Sequence, residues 1–472
     1  MLIKHFIIPV LGKGQNQFIL ICFYGLGIGI LVLVSPWLGL AAVIGLLFLL
    51  VILSRPVYLC YLVILATVFT SGMGRGRIIP YLVPNEVVLG LVSIMALPAI
   101  LINNQPRSST NSGSITTGIV ILLAGTSIFP LLIYFARGVG LSVSELFSLI
   151  APLQYALVYL VFRYLPLTEA EVRSIVRLML VSAAVVGIVG LLQTMRLGFI
   201  LNFLNTWYPS SHQETALSYG RVSSVLGAWN SLGTFLMLNL IILRAVSILQ
   251  PALMNRVIFF LIAASGAGCL IASGSYASLV GLALGFFLFE LFDRRGRTTM
   301  VFLFLIIPIL AFLLRDNIMA RFAFQTRYGG LIPATLAFRF QLWESVFWPI
   351  IRKTWLWGFH PIIPSTVAWQ YAESQYITLL IRSGIFSLLA HLFWVGLTLV
   401  WLYKNIRASD DFRRSLSISV FIMLVVLSIM AVTNAVFYYS SVSEYLWISL
   451  GLIGSLGEEH KHKMARSTDS EF

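Results

Sequence analysis

Apolar runs of about 17–25 residues recur from one end of this chain to the other, and they leave few folds open. A helix needs a run of that length to cross a hydrocarbon core about 30 Å thick. Inside lipid every backbone N–H and C=O must be satisfied within the protein, so uninterrupted apolar runs become spanning helices. The 472 residues are 59% hydrophobic and only 10% charged, whereas a soluble domain carries about 25% charged residues. The expected fold is an all-α polytopic membrane helical bundle of about 12–14 spans. One large periplasmic loop, 315–383, is expected to carry short interfacial helices. Residues 1–456 read as a single transmembrane domain and 457–472 as a disordered cytoplasmic tail.

Hydropathy puts spans near 17–34, 37–54, 57–72, 87–102, 117–136, 146–163, 175–195 and 224–248. Further spans fall near 257–273, 275–293, 299–314, 384–403, 415–436 and 443–456. The distribution of basic residues fits this alternation. With the N-terminus inside, Lys4, Lys13, Arg55, Arg107, Arg163, Arg173, Arg177 and Arg256 share one side with Arg294, Arg295, Lys404, Arg413 and Lys461. Lysine and arginine accumulate in cytoplasmic loops, so both termini are expected in the cytoplasm. Loops 196–222 and 315–383 then face the exterior. The first apolar run lacks a small-residue cleavage site and reads as a retained span. Ser108–Thr117 reads as a flexible linker on composition.

The net charge of +14 is dispersed between spans, which fits topology and lipid headgroups and gives no nucleic-acid patch. Cys22, Cys60 and Cys269 all fall within spans, so neither a disulfide framework nor a cysteine metal site is expected. No phosphate-binding glycine loop, nucleophile elbow or cluster of metal ligands is evident, and no cofactor is expected.

Candidate chemistry gathers on the exterior side. Arg221 precedes Gly227, Asn230 and Gly233, and a guanidinium at that depth can grip a phosphate with a two-pronged fork. In the long loop, Phe338–Trp348 has helical character, with Arg339, Trp343 and Phe347 on one face and Pro349 as its end or kink. Such an aromatic and arginine helix also suits a plain interfacial anchor. Glu373 precedes a span carrying Arg382 and Gly384, where a partly buried carboxylate can act as a general base. His360 joins the loop, with a structural role as its simpler reading. His391 lies inside a span, and intramembrane ionisable residues are functional suspects. Ser273-Gly274-Ser275-Tyr276 reads as a tight turn without chemistry.

Taken in order, Arg221-Gly227-Asn230, the Ser273–Tyr276 turn, Arg339-x-x-x-Trp343 with Trp357-Gly358-Phe359, and Glu373-Ser374-x-Tyr376 resemble the O-antigen ligase/O-antigen polymerase superfamily of bacterial polysaccharide assembly. The resemblance covers roughly residues 215–403, and the first seven spans match only as hydrophobic scaffold. It implies metal-independent, inverting glycan transfer at the periplasmic face of the inner membrane. The implied partners are a polyprenyl-pyrophosphate-linked glycan donor, a glycan acceptor, membrane lipids and a chain-length regulator. On that basis the expected catalytic residues are Glu373, Arg221 and Arg339. The expected substrate contacts are Asn230, Arg327, Trp343, His360, Tyr376 and Arg382. Ligases usually carry a His where Glu373-Ser374 stands, and an Arg where Gly274 stands, so the pattern leans toward a polymerase. The rival class is a secondary transporter or lipid-linked oligosaccharide flippase.

Overall fold

The computed structural model describes residues 55–76, 78, 82–102, 113–208, 220–249, 255–292, 312, 315, 316, 319, 323, 334–364, 367–369, 371–408 and 411–469. The expected spans 17–34 and 37–54, all of 299–314 but Phe312, and with them Cys22 and Arg327, lie outside these residues. Among the described residues the chain is helical, without strands. Five helical stretches are long and apolar enough to cross a membrane: Ile115–Ala136, Glu169–Thr194, Trp229–Ser247, Gln375–Arg407 and Asp411–Met430. Shorter apolar helices pack among them. The chain is a multi-pass membrane protein with an all-α bundle.

The first described helices are α1 (Pro56–Thr70) and α2 (Pro84–Ile102). Next, α3 (Gly113–Leu123) passes through a π-turn at Ala124–Ile128 into α4 (Phe129–Ala136). The linker expected at Ser108–Thr117 is thus already helical from Gly113. Two helices start at capping boxes. Ser142 and Glu145 open α5 (Val143–Tyr164), and Thr168 and Glu171 open α6 (Glu169–Thr194). In each, side chains satisfy amide groups that the first turn leaves without partners. After α7 (Gly198–Trp207) the described chain resumes at Gly220.

The span expected from residue 224 starts later. Ser224–Leu226 is a 3₁₀ turn, Gly227 is left-handed at φ +72°, and α8 runs Trp229–Leu249. A Cβ on Gly227 would lie 3.0 Å from the Gly72 carbonyl oxygen, so Gly227 is not the helix-face residue that its spacing implies. The hairpin α9 (Arg256–Ala272) and α10 (Tyr276–Phe292) is closed by Ser273-Gly274-Ser275, with Gly274 at φ +61°, as expected. Small residues allow a close helix contact: a Cβ on Gly187 of α6 would lie 2.9 Å from the Ser265 carbonyl oxygen of α9. Glycine at such points lets helix backbones approach without side chains between them.

Between the spans, α11 (Ala334–Leu342) continues through a π-turn at Trp343–Phe347 into α12 (Trp348–Thr354). The helix does not end at Pro349. Proline lacks an N–H and its ring crowds the carbonyl four residues back. The π-turn widens the helix just ahead of it, with the Trp348 N–H donating to the Trp343 carbonyl. Under this helix Leu342, Phe347, Ile351, Ile363, Ala372, Ile377 and Ile381 form a small separate core.

The long element α13 (Gln375–Ala408) is broken at Gly384 (φ +72°, ψ −167°). In a straight helix the Cα atoms of residues fifteen apart would be separated by about 22 Å. The Tyr376 and His391 rings instead lie 6.3 Å apart, centroid to centroid, so the two arms fold toward each other. Residues 355–360 fill the break. The Ile385 N–H donates to the Trp355 carbonyl at 2.8 Å, and the Phe359 and His360 amides donate to the Ile381 carbonyl at 2.6 and 3.3 Å. Trp357 packs beside Phe129 and Phe386. Arg137 donates to the Gly358 carbonyl at 3.1 Å and Tyr134 to that of Arg382.

Finally, α14 (Asp411–Met430) and α15 (Ser440–Asp469) complete the bundle, and α15 packs on α5. The tail expected to be disordered is helical through Asp469. A span has already nucleated the helix, and no Gly or Pro follows Gly457 to stop cheap residue-by-residue extension. Glu444 of α15, 2% exposed, accepts hydrogen bonds from Thr67 of α1, Asn85 of α2 and Gln154 of α5, the last two at 2.8 Å. One carboxyl thus ties four helices together.

Gly384→Ala places a side chain against the Leu356 carbonyl in a backbone region that only glycine adopts readily. It is expected to cost about 1–3 kcal/mol, read as a lower unfolding midpoint in detergent; an unchanged midpoint contradicts the break described here. Glu444→Ala strands three donors, Thr67 and Asn85 of them buried, and is expected to cost about 2–4 kcal/mol. Glu444→Gln, whose NH₂ must face one of those donors, is expected to fall between it and wild type. Equal stability of all three forms would exclude a structural role for this node.

Candidate functional site

Arg339 reaches from the last turn of α11 to Glu373, in the loop before α13. Its Nε and one terminal nitrogen lie 3.0 and 2.5 Å from Glu373 Oε2. That terminal nitrogen also lies 3.4 Å from Asn434 Oδ1. Both bonds to the carboxylate end on one oxygen, so Oε1 stands outside the pair. Glu373 has φ +54°, a left-handed backbone that is uncommon for a residue with a side chain. Such outliers persist where surroundings over-determine them. Here Trp343 Nε1 donates to the Ala372 carbonyl at 2.7 Å, and the Gln375 amide donates to the Ala431 carbonyl at 2.9 Å. The helix face shared by Arg339, Trp343 and Phe347 is therefore the face turned toward the bundle, with Phe347 fully buried.

Tyr439, just before α15, is the hub. Its hydroxyl is hydrogen-bonded with the Asn230 side chain and lies within electrostatic range of Glu373 and Arg339. Burial pushes the Tyr439 phenol above its ordinary value and the Glu373 charge adds to this, against the opposing effects of Arg339 and Asn230. The hydroxyl therefore keeps its proton and can donate. Asn230 sits in the first turn of α8, beside Trp229, and Arg221 lies over the Trp229 ring at 4.8 Å. The Arg221 side chain also runs along Gly274, where a Cβ would come within 3.2 Å of its Cγ. The absent side chain at Gly274 thus leaves the room that the Arg221 stem occupies.

Of the residues expected from sequence, Arg339, Glu373, Asn230 and Trp343 come together, with Arg221 one residue contact away through Trp229. Three others are placed elsewhere. His360 Nδ1 lies 2.7 Å from the Ile362 carbonyl and 3.2 Å from Glu145 Oε1. Two acceptors on one nitrogen call for Nδ1–H, and the ring serves to dock the 355–360 segment at the start of α5. This places His360 away from the Arg339–Glu373 pair. Tyr376 donates its hydroxyl to the Ser428 carbonyl at 2.6 Å, which ties its polar end to α14. Arg382 stacks on Tyr438 at 4.8 Å and lines a separate cleft with Gln375, His391 and Trp394. Arg327 lies outside the described residues.

Asn434 and Tyr439 were missed. Both belong to the short connection between α14 and α15, which hydropathy divides between two spans and their intervening turn. The topology puts that turn on the same side as the long loop, and its Asn and paired Tyr are the signal that could have marked it. Among the described residues no group of three His, Cys, Asp or Glu side chains could hold a metal ion. The chemistry available here is charge stabilisation by arginine, proton transfer at a carboxylate and hydrogen bonding from Tyr and Asn. No protein-family model matches the chain, and no curated protein matches it either.

Glu145, which caps α5 through Ser142 and meets His360, carries a pH dependence. Burial raises the Glu145 carboxyl, but hydrogen bonds from the Ser142 hydroxyl and amide, together with His360, outweigh it and hold it below its ordinary 4.5. A lowered folded-state value means that ionisation favours the folded contact. The stabilisation is complete above pH 4.5 and fades as the pH falls through the folded value. Hydrogen exchange of residues 355–360, corrected for intrinsic rates, is expected to accelerate on acidification below that point, and Glu145→Gln is expected to remove the dependence. Equal pH profiles in wild type and variant would show that this contact does not secure the segment.

Proposed function

We propose that this protein is a membrane glycosyltransferase that joins polyprenyl-pyrophosphate-linked saccharide units, in the manner of an O-antigen or exopolysaccharide polymerase. One observation supports this reading above the rest. Arg339, Glu373, Tyr439 and Asn230 come from four separate parts of the chain and meet at one end of the bundle, with Arg221 alongside. That end is the periplasmic face of the inner membrane in this reading, with both termini in the cytoplasm.

The acceptor hydroxyl attacks the anomeric carbon as the bond from that carbon to the pyrophosphate oxygen breaks, inverting the configuration. The hydroxyl proton passes to Glu373, whose Oε1 stands outside the ion pair. Arg339 is the shared element: when a pyrophosphate arrives, its guanidinium turns from Glu373 to the phosphate, which frees the carboxylate at the moment it is needed. Arg221 supplies the second cation. Charge develops on the leaving group in the transition state, where fixed cations contribute most. Tyr439 and Asn230 hold the two charged groups in register. The residues present provide this chemistry without calling on a metal, consistent with the resemblance of the sequence to that superfamily.

The test is polysaccharide length in a deletion strain carrying wild type, Arg221→Ala, Arg339→Ala, Arg339→Lys or Glu373→Gln, with membrane levels measured in parallel. Wild type is expected to restore a long-chain ladder. Arg339→Ala and Glu373→Gln are expected to lower chain formation by about 100-fold or more, and Arg339→Lys is expected to fail as well, since a point charge cannot replace the fork. Normal ladders in these variants would remove the proposed site. Lipid-linked units that accumulate on the cytoplasmic face after deletion would mean transport instead of transfer.

A further inference from the structure

The loop expected outside the membrane between residues 196 and 222 opens on a helix whose surface is divided in three. Helix α7 has ten residues and is therefore about 15 Å long, half of what a crossing of the hydrocarbon core requires. It follows α6 through a sharp corner. Arg196 is left-handed at φ +55°, and its N–H donates to the Gln193 carbonyl at 3.0 Å. This end of α6 lies on the Arg221 side of the bundle, since the Ser223 and Ser224 amides donate to the Gln193 side-chain oxygen at 3.1 and 2.9 Å.

Successive helix residues are turned by about 100°. Counted that way from Phe199, Ile200 and Leu204 fall at about 100–140°. Both are buried, and α7 packs here on α6. Just past the helix, Tyr208 donates its hydroxyl to the Phe69 carbonyl of α1 at 2.5 Å. Phe199, Phe203 and Trp207 fall at about 0–80° and are 67%, 43% and 45% exposed. Asn205, Asn202 and Thr206 fall at about 240–340° and are exposed as well. A bundle face, an aromatic face and a polar face thus lie side by side on one short helix.

That division selects the surroundings. Placed wholly in water, α7 would expose a contiguous row of three aromatic rings. Immersed in hydrocarbon, it would strand two carboxamides. The boundary between headgroups and acyl chains meets both needs, and aromatic residues gather there. The lipid-facing side of α6 also leads to it. Val181, Val185, Ile188 and Met195 are exposed on one face of that apolar, spanning-length helix, and Phe199 follows Met195 by four residues. Arg196, exposed at the corner, is the only charged residue from Met195 to Trp207. Its charge is the one that lipid phosphates attract.

We infer that α7 is an interfacial helix whose partner is the lipid surface. Phe199, Phe203 and Trp207 sit among headgroups and the first methylenes, while Asn202, Asn205 and Thr206 face water. This placement does not depend on glycan transfer. It adds a membrane support beside the turn that carries Arg221, because the end of α1 that receives Tyr208 also receives Gly227 at Gly72.

The experiment uses the full chain in nanodiscs of phosphatidylcholine and phosphatidylglycerol. The photoreactive residue p-benzoylphenylalanine replaces Phe199, Phe203, Trp207, Asn202 or Asn205 in turn, with Val185 as the hydrocarbon-facing reference. Phospholipid adducts are then counted by mass spectrometry. Positions 199, 203 and 207 are expected to give at least tenfold more adduct than 202 and 205. Equal adducts at all five positions would mean an immersed helix and overturn the inference. So would crosslinks to a second copy of the chain, or no lipid adduct at the aromatic positions while 185 reacts. Hydroxyl-radical footprinting of the unsubstituted protein in the same nanodiscs gives a reading free of any substitution. Phe199, Phe203 and Trp207 are expected to oxidise at least fivefold more slowly than the free amino acids. Oxidation at only the modest reduction that their exposure implies would place the aromatic face in water and overturn the inference.

Discussion

The break in α13 at Gly384 is the constraint on which the rest of this end of the bundle depends. Opening a helix frees backbone groups that cannot be left unpaired away from water, where each costs several kcal/mol in apolar surroundings. Here the partners are protein backbone: residues 355–360 donate to Ile381 and accept from Ile385. A segment that supplies hydrogen bonds to a helix cannot move independently of it. The 334–354 helix, which runs directly into this segment, is thereby located against the bundle. Its Arg339 and Trp343 then have one place to go, the Ala372–Glu373 turn at the head of the same broken helix. One interruption therefore positions both the charged pair and the cleft beside it.

Two π-turns serve the same end. One precedes Pro130 in the helix that cradles Trp357, and the other precedes Pro349 in the helix that carries Arg339. In each case the extra residue in the turn lets a helix run past a proline that would otherwise break it. At the first, Gly125 packs closely on Ala390 and its carbonyl accepts from Ser387, joining α13 to the widened turn just beyond the break. Rigid elements on both sides hold the 355–360 segment, and a proline in each marks where helix geometry was adjusted.

Within the ion-pair site, electrostatics and positioning are divided among different elements. Arg339 and Glu373 neutralise each other in the structure, and the asymmetric contact through Oε2 alone leaves the second carboxylate oxygen outside the pair. Tyr439 and Asn230 are uncharged and come from elements packed deep in the bundle. They restrain the site without adding a charge whose desolvation would need offsetting. Arg221, braced between Trp229 and Gly274, keeps a cation close by on a separate support.

Much of this was legible in the residues themselves, and the reasons differ by element. Spans were legible because apolar runs have no alternative in lipid, and Arg339, Trp343 and Phe347 were placed on one face because helical spacing is local. Asn230 and Glu373 stood out as polar residues at the edges of spans. The partners of His360 and Tyr376 were not legible because a side chain's partner is a long-range fact: the first meets Glu145 and the second Ser428, both far off in sequence. Asn434 and Tyr439 were passed over because a short turn between two apolar runs carries little periodic signal. The sequence by itself determined an all-helical, multi-pass membrane bundle with arginine, aromatics and a carboxylate gathered in one loop, since hydropathy and helical period depend only on neighbours along the chain. Only the tertiary structure decided that Gly384 would fold α13 back and that Tyr439 and Asn230 would meet Arg339 and Glu373. Backbone groups freed by a broken helix find their partners across the fold, through contacts that no local pattern encodes.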